Sequence, residues 1–257
     1  MKKDGTITAG QGTFRLQGGA FPGAPGGMTA MCAFAPYALK NVHQIGYSVM
    51  SNRPKQAAYR APGSPMAAFA VESVIDALCK KLDLDPIEVR LKNASRKGTK
   101  ASYGPTFEEI GLVECLETAK SHSHYNAPLK KGQGRGISCG FWFNFGGETA
   151  VSLALSEDGT VQISVGTPDI GGSRASIALM AAEELGIPYD HIRCTVADTA
   201  TLGYNEISHG SRVTYATGLA TIKAARDAIN KLCKRAAEKW GIPEEAVKWW
   251  EEVLLNI

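Results

Sequence analysis

Apolar positions repeat with two different periods along this chain. Val71, Ile75, Leu78 and Leu82 fall on one helical face, behind Ser64 as an N-cap and Pro65 at the first helical position, so the spacing predicts a helix from Ser64. Asp85-Pro86 restarts a short helix through Arg90, Leu91 and Asn93, and a weaker amphipathic helix is predicted near 111–121. Strand patterns follow at 137–145, 149–156 and 160–166, the last two joined by Glu157-Asp158-Gly159, whose Asp-Gly signals a hairpin. A helix over 173–185, a strand over 191–197 and an alanine-rich helix over 212–239 complete the second half. On that last helix Ala216, Ala220, Ala224 and Ala228 share a face suited to close packing. The first sixty residues open on the strand-like Gly5-Thr6-Ile7-Thr8-Ala9 and carry much Gly and Pro, notably from Gly18 to Gly27, which predicts strands joined by loops.

Alternating strands and helices predict an α+β or α/β sandwich rather than an all-β fold or a bundle. At 257 residues, with 44% hydrophobic and 21% charged residues, the chain is globular in composition. It is long enough for two modules, and the polar stretch from Ser121 to Gly136 suggests a boundary, giving domains over 1–130 and 131–257. Twenty-eight Lys and Arg against 25 Asp and Glu leave a dispersed net charge of +3, a poor electrostatic footprint for nucleic acid. No apolar run reaches the ~18 residues of a membrane span and no signal-peptide pattern follows Lys2-Lys3, so a cytoplasmic location is expected. The six cysteines form no C-x-x-C pair, and most are expected to be reduced core thiols. The apolar ending Leu254-Leu255-Asn256-Ile257, near Trp249 and Trp250, points to a partial chain.

Three segments share one design: Arg60-Ala61-Pro62-Gly63-Ser64-Pro65, Gly171-Gly172-Ser173-Arg174 and Gly210-Ser211-Arg212 each place Gly-Ser at a predicted helix start beside an arginine. Helix N-termini offer unpaired N–H groups, glycine admits an anion to the backbone, and arginine adds a bidentate fork. Singly, each also reads as ordinary N-capping; converging, they would suit a ligand with several anionic groups. A P-loop is excluded by spacing, and Gly132-Gln133-Gly134-Arg135-Gly136 precedes a strand where a dinucleotide fingerprint follows one. In the run Phe141-Trp142-Phe143-Asn144-Phe145, a strand would send 141, 143 and 145 to one face, for a planar substrate or for the core. His122 and His124 read as a solvated loop rather than a metal site, and Asp198-Thr199 leaves a predicted strand where functional groups and turns both occur.

Ala58-Tyr59-Arg60-Ala61-Pro62-Gly63-Ser64-Pro65, Phe69-Ala70-Val71-Glu72 and Leu84-Asp85-Pro86-Ile87-Glu88-Val89-Arg90-Leu91-Lys92-Asn93 together resemble the molybdopterin-binding large subunit of the xanthine dehydrogenase and aldehyde oxidase family. Thr167-Pro168-Asp169-Ile170-Gly171-Gly172-Ser173-Arg174, Ala197-Asp198-Thr199 and Ser208-His209-Gly210-Ser211-Arg212 resemble that family's cofactor loops in their order. The resemblance implies two incomplete mixed α/β modules of the molybdopterin-binding type, the C-terminal part of a first domain and the N-terminal part of a second. It implies molybdopterin carrying molybdenum, in the cytosine dinucleotide form, with no metal ligand from the protein. Arg60, Ala61 and Gly63 would lie near the metal end. Gly171, Gly172, Ser173, Arg174, Ser208, His209, Gly210, Ser211 and Arg212 would bind pterin and phosphates.

The implied reaction is oxidative hydroxylation of an N-heterocycle or aldehyde, a small-molecule substrate, with electrons leaving through 2Fe-2S and FAD groups on partner subunits or domains. Two departures bear on this. Gly171-Gly172-Ser173 lacks the family's glutamine, and Pro62 stands where many members carry a ring, leaving Phe141 as the candidate substrate contact. The family's general base, a glutamate in Gly-x-Gly-Glu, and its upstream Gly-Gly-x-Phe-Gly loop have no counterpart in the sequence. The chain therefore reads as a central fragment of such a subunit that needs the remainder of it. The alternative is a non-catalytic or split cofactor-binding subunit completed by partner chains.

Overall fold

A computed structural model describes residues 1–143, 146–196, 199–200, 202–250 and 253–256, with side chains described through Trp249 apart from those gaps. The chain divides into two compact units, Met1–Trp142 and Phe143–Ile257.

Unit 1 contains β1 (Gly10–Gly19), α1 (Gly26–Ala33), β2 (Val42–Met50), α2 (Ser64–Leu82), α3 (Pro86–Asn93), α4 (Leu112–Ser121) and the short α5 (Ser123–Asn126). β1 and β2 pair in parallel, Gly10 opposite Val42. The strand expected over 5–9 is displaced to β1. Its residues are pinned to α3 instead, because Asn93 accepts from Ile7 N at 2.8 Å and donates to Gly5 O at 2.9 Å. α1 lies in the glycine-proline run expected to be loop; its first turn is closed by Pro25 O, which accepts from Thr29 N at 2.9 Å and Thr29 Oγ1 at 2.7 Å. The cap of α2 is Gly63, at φ 89°, and Ser64 is already helical. α2 buries Ala67, Val71, Ile75 and Cys79, leaving Leu78 and Leu82 half-buried. Asp85 caps α3 as its position predicts, accepting from Ile87 N at 2.8 Å and Glu88 N at 3.0 Å. Residues 137–143, expected to begin a strand, form none; 144 and 145 lie outside the described residues.

Unit 2 is built on β3 (Val151–Leu155), β4 (Val161–Val165), α6 (Ser173–Leu185), β5 (Ile192–Val196) and α7 (Gly218–Trp240), followed by the hairpin β6 (Val247–Trp250) and β7 (Val253–Asn256). The sheet order is β3-β4-β5, with β3 antiparallel and β5 parallel to β4, so α6 is the crossover of a β-α-β unit. Asp158 closes the β3–β4 hairpin by accepting from Thr160 N at 3.0 Å. Val161, Ile163 and Val165 pack against Ile177, Ala181, Leu185 and Ala225 in the core. A π-helical turn, Val213–Thr217, precedes α7. The most buried face of this turn and helix is Thr217, Thr221 and Ala225, each fully buried, rather than the expected alanine stripe. Ala216 is buried beside it, whereas Ala220, Ala224 and Ala228 are half-buried. Trp249 donates from Nε1 to Leu185 O at 2.8 Å, tying the last hairpin to α6. All six cysteines are unpaired thiols, and no helix among the described residues is long and apolar enough to cross a membrane.

Candidate functional site

Strand direction gathers the loops of unit 2. Val165 lies opposite both Val196, on the parallel β5, and Val151, on the antiparallel β3. The segment entering β3, the segment leaving β4 and the segment leaving β5 therefore share one edge of the sheet. That edge is the carboxyl end of the parallel pair, where open α/β sheets hold ligands. Hydrogen bonds fasten two of these segments together. Glu206 N donates to Glu148 O at 3.0 Å, and Asn205 Oδ1 accepts from Thr149 Oγ1 at 2.5 Å and Ala150 N at 3.3 Å. Both predicted loops of this unit, Gly171 to Arg174 and Ser208 to Arg212, thus follow strands that end at this edge.

The two arginines on these loops meet different fates. Arg174 donates from Nε to Asp169 Oδ2 at 2.9 Å and stays half-exposed. Asp169 also takes Arg174 N at 3.1 Å and Ser173 Oγ at 3.3 Å, so the first turn of α6 is supplied with an internal carboxylate. The Arg174 backbone N–H, then its side chain, hold the Asp169 carboxyl below the usual range. Gly171 and Gly172 before them are left-handed, at φ 66° and 81°. Arg212 is only 1% exposed and donates Nε to Gly146 O at 2.8 Å, Nη1 to Glu206 O at 3.0 Å and Nη2 to Glu148 O at 2.8 Å. The fork expected to meet a phosphate is spent on loop carbonyls.

Two hydroxyls at the same loops have no partner. Thr167 Oγ1, on a residue 2% exposed, and Ser208 Oγ are both buried without a hydrogen bond. Buried hydroxyls normally find a partner, so these two mark places prepared for a polar ligand or ordered water. Backbone strain falls here too: Ser211, at φ 64° after Gly210 at φ 65°, holds the left-handed conformation that side chains rarely adopt. Polar orphans and strained turns beside the strand ends fit a group rich in heteroatoms. His209 is exposed within the same turn. Asp198, named from sequence at the end of β5, and Ala197 lie outside the described residues.

Unit 1 repeats the plan on a smaller scale. The loop after β2 carries exposed Arg60, then Ala61 at φ 49°, a second strained non-glycine residue, and reaches Gly63. A Cβ at Gly63 would lie 2.4 Å from Thr29 Oγ1 and 2.7 Å from Thr29 N, so only glycine lets this loop seat on the first turn of α1. Ser64 Oγ donates to Phe141 O at 2.6 Å. The half-buried Phe141 ring lies 5.6 Å from Tyr103 and 5.8 Å from Phe107, within an aromatic trio. Phe143 is also half-buried, while Asn144 and Phe145 lie outside the described residues. His122 and His124 are exposed, with His122 Nδ1 accepting from His124 N at 3.1 Å. No cluster of three or more His, Cys, Asp or Glu suited to a metal occurs among the described residues. Sequence reasoning quoted Thr167 and Asp169 within the loop motif but gave them no role, and passed over Asn205 and the paired glycines 146 and 147, where a Gly-Gly step between predicted strands was the local signal.

Comparison with known proteins adds an independent line. Family models described as molybdopterin cofactor-binding domains match residues 1–94 and 112–256. The xanthine dehydrogenase molybdenum-binding subunit of Escherichia coli O157:H7 is 28% identical over 92% of this chain and 34% of its own length. The aldehyde oxidoreductase of Megalodesulfovibrio gigas is 30% identical over 91% of this chain and 28% of its own. Among solved structures, quinoline 2-oxidoreductase from Pseudomonas putida 86 shares the fold at a TM-score of 0.80 and 18% identity, covering 99% of this chain and 36% of that one. Aldehyde oxidoreductase from Desulfovibrio gigas matches at a TM-score of 0.69 and 25% identity over 94% of this chain and 29% of that one. The chain spans about a third of the length of these relatives. With one model covering more than half of it and a second covering most of the rest, this chain belongs to the molybdopterin cofactor-binding domain family.

Proposed function

We propose that the loops at the carboxyl ends of the parallel strands hold molybdopterin in its cytosine dinucleotide form, within the catalytic subunit of a molybdenum hydroxylase. The observation that carries this reading is the pair of orphaned hydroxyls, Thr167 Oγ1 and Ser208 Oγ, beside the strained turn at Ser211. Arg60, Ala61 and Gly63 serve the metal end. The backbone of Gly171 and Gly172, together with Ser173, Arg174 and the turn Ser208, His209, Gly210 and Ser211, serves pterin and phosphates, and Arg212 shapes that turn from behind. Phe141 serves as the contact to a planar substrate. In this reading 1–130 belongs to the first cofactor-binding domain and 131–257 to the second.

When bound, the cofactor supplies oxidative hydroxylation of an N-heterocycle or aldehyde, with electrons passing to 2Fe-2S and FAD groups on partner chains. The chain's own residues bind, orient and exclude water. Because it spans about a third of its relatives, turnover also needs polypeptide from outside it, including a general base; the whole enzyme would act in the cytoplasm. The test is to purify the chain from a host that makes the cofactor and measure molybdenum and pterin per chain. Near-stoichiometric pterin, reduced about tenfold in Thr167→Val with Ser208→Ala, supports the site. A folded chain without pterin, from a host that loads a full-length relative, overturns it.

A further inference from the structure

We infer that Arg212 is a positioning residue, which holds the cofactor-facing turn in shape before any ligand arrives. The inference rests on the proposed cofactor site but concerns contacts within the chain itself. Each of the three bonds of its guanidinium ends on a backbone carbonyl, two in the segment entering β3 (Gly146 O and Glu148 O) and one in the segment leaving β5 (Glu206 O). A planar cation with its donors fixed in one fork sets the spacing of these strands of backbone, which a flexible ammonium cannot do. Arg212 is 1% exposed and its Nε lies 3.9 Å from Glu206 Oε2, so its charge is already faced by a carboxylate of the same loop and an anion outside does not reach it directly.

Two further features are shaped to this clamp. Gly147, at φ 108°, is pressed against it: a Cβ there would fall 2.9 Å from Arg212 Nε and 2.0 Å from Glu206 Oε2. Directly before Arg212, Gly210 and Ser211 are both left-handed, and directly after it the chain makes the π turn Val213–Thr217. A serine stays in that conformation only where its surroundings determine the backbone on both sides. The clamp does so on one side. On the other, Thr217 Oγ1 lies 3.2 Å from Thr149 Oγ1, which itself donates to Asn205. The turn that carries Ser208 to Ser211 is thus preformed, and the cofactor does not have to order it.

Amide hydrogen exchange on the cofactor-free chain tests this with Arg212→Lys, Arg212→Ala and Gly147→Ala. Amides in 146–150 and 203–211 should exchange about tenfold faster or more in all three variants, while β4 and α6 keep their protection. Added guanidinium ion should restore protection to Arg212→Ala, where it can refill the site, and not to Gly147→Ala, where the methyl occupies the contact. Pterin uptake in the cofactor-making host should follow the same pattern of loss and rescue, which a role in global stability alone would not produce. Unchanged exchange in Arg212→Ala with lost pterin would overturn the inference and make Arg212 a direct ligand. Loosening that extends to β4 and α6 in Arg212→Lys as well would overturn it in favour of a general structural role. Loosened loops in a chain whose wild type takes up no pterin would sink the cofactor reading and leave the clamp standing.

Discussion

Glu72 offers the sharpest test of what holds unit 1 together. It is 4% exposed on α2, and its Oε1 accepts from Tyr37 OH at 2.5 Å. Its Oε2 accepts from Arg90 Nε at 2.9 Å and from Cys139 N at 2.8 Å, so one carboxylate ties α2 to α3 and to the segments around 37 and 139. Arg90 is fully buried and keeps two other acceptors, Asp76 Oδ1 at 2.9 Å and Pro86 O at 3.1 Å. Glu72→Leu strands the Tyr37 hydroxyl, one face of the guanidinium and a buried backbone N–H. Breaking a buried ion pair from one side costs about 3–5 kcal/mol, and the acceptors left to Arg90 hold the loss within that range. Removing both charges in Glu72→Leu with Arg90→Met should recover at least about 1 kcal/mol of it, since no buried cation then lacks its partner. Urea unfolding read by hydrogen exchange over 64–93 isolates unit 1 and measures both quantities. A cost below about 1 kcal/mol for Glu72→Leu, or a double variant no better than the single one, would refute the reasoning.

Further expectations follow from the same contacts. Burial, then the neighbouring Cys139 and Glu72, pushes the Tyr37 phenol far above its usual value. A raised folded value gives stability that is complete below the ordinary phenol value and lost above it. Unit 1 should therefore weaken above about pH 10, and Tyr37→Phe, less stable at neutral pH, should decline less steeply there, keeping only the share that the other buried thiols and phenols of the unit supply. Cys32 is pushed up to about 11 by burial, whereas Cys115 is exposed, so a thiol reagent at neutral pH should modify Cys115 first and reach Cys32 only on unfolding, as peptide mapping would show. Gly63→Ala puts a Cβ against the backbone of Thr29 at a left-handed position and should cost about 2–3 kcal/mol, read as the shift in the urea midpoint of unit 1 multiplied by its m-value. The Asp169 carboxyl, lowered by the Arg174 backbone N–H and then its side chain, supports the first turn of α6 at neutral pH. That support should fade as pH falls below about 4, and Asp169→Asn should remove the pH dependence of amide protection there.

The elements legible in the sequence are those whose cause is local. α6 occupies the predicted 173–185 because a glycine at each end sets its limits, Gly172 before it and Gly186 after it. α3 starts where Asp85 can cap it. α1 was hidden because it opens on Gly26-Gly27 behind a proline, with no capping side chain; a carbonyl of Pro25 and the packing around Thr29 impose the helix. The run at 5–9 alternates like a strand, yet the side chain of Asn93, more than eighty positions away, takes its hydrogen bonds. Local pattern has no access to a partner that distant.

The candidate site divides along the same line. Gly-Ser-Arg occurs twice in unit 2, at Gly172 and at Gly210, and as sequence the two tripeptides make the same promise of glycine for approach, serine for a hydroxyl and arginine for a phosphate. In the structure the first arginine side chain is 52% exposed and neutralised by an aspartate five positions before it. The second also has an acid six positions before it, Glu206, but is buried and bonded as well to carbonyls more than sixty positions before it. Nothing within either tripeptide separates these outcomes; what separates them is the Gly146-Gly147 segment lying opposite only one of them. A motif of this kind therefore locates a loop at a strand end, where topology gives it a function. Which of its atoms face a ligand, and which hold the loop open for one, is decided by burial and by partners distant in sequence.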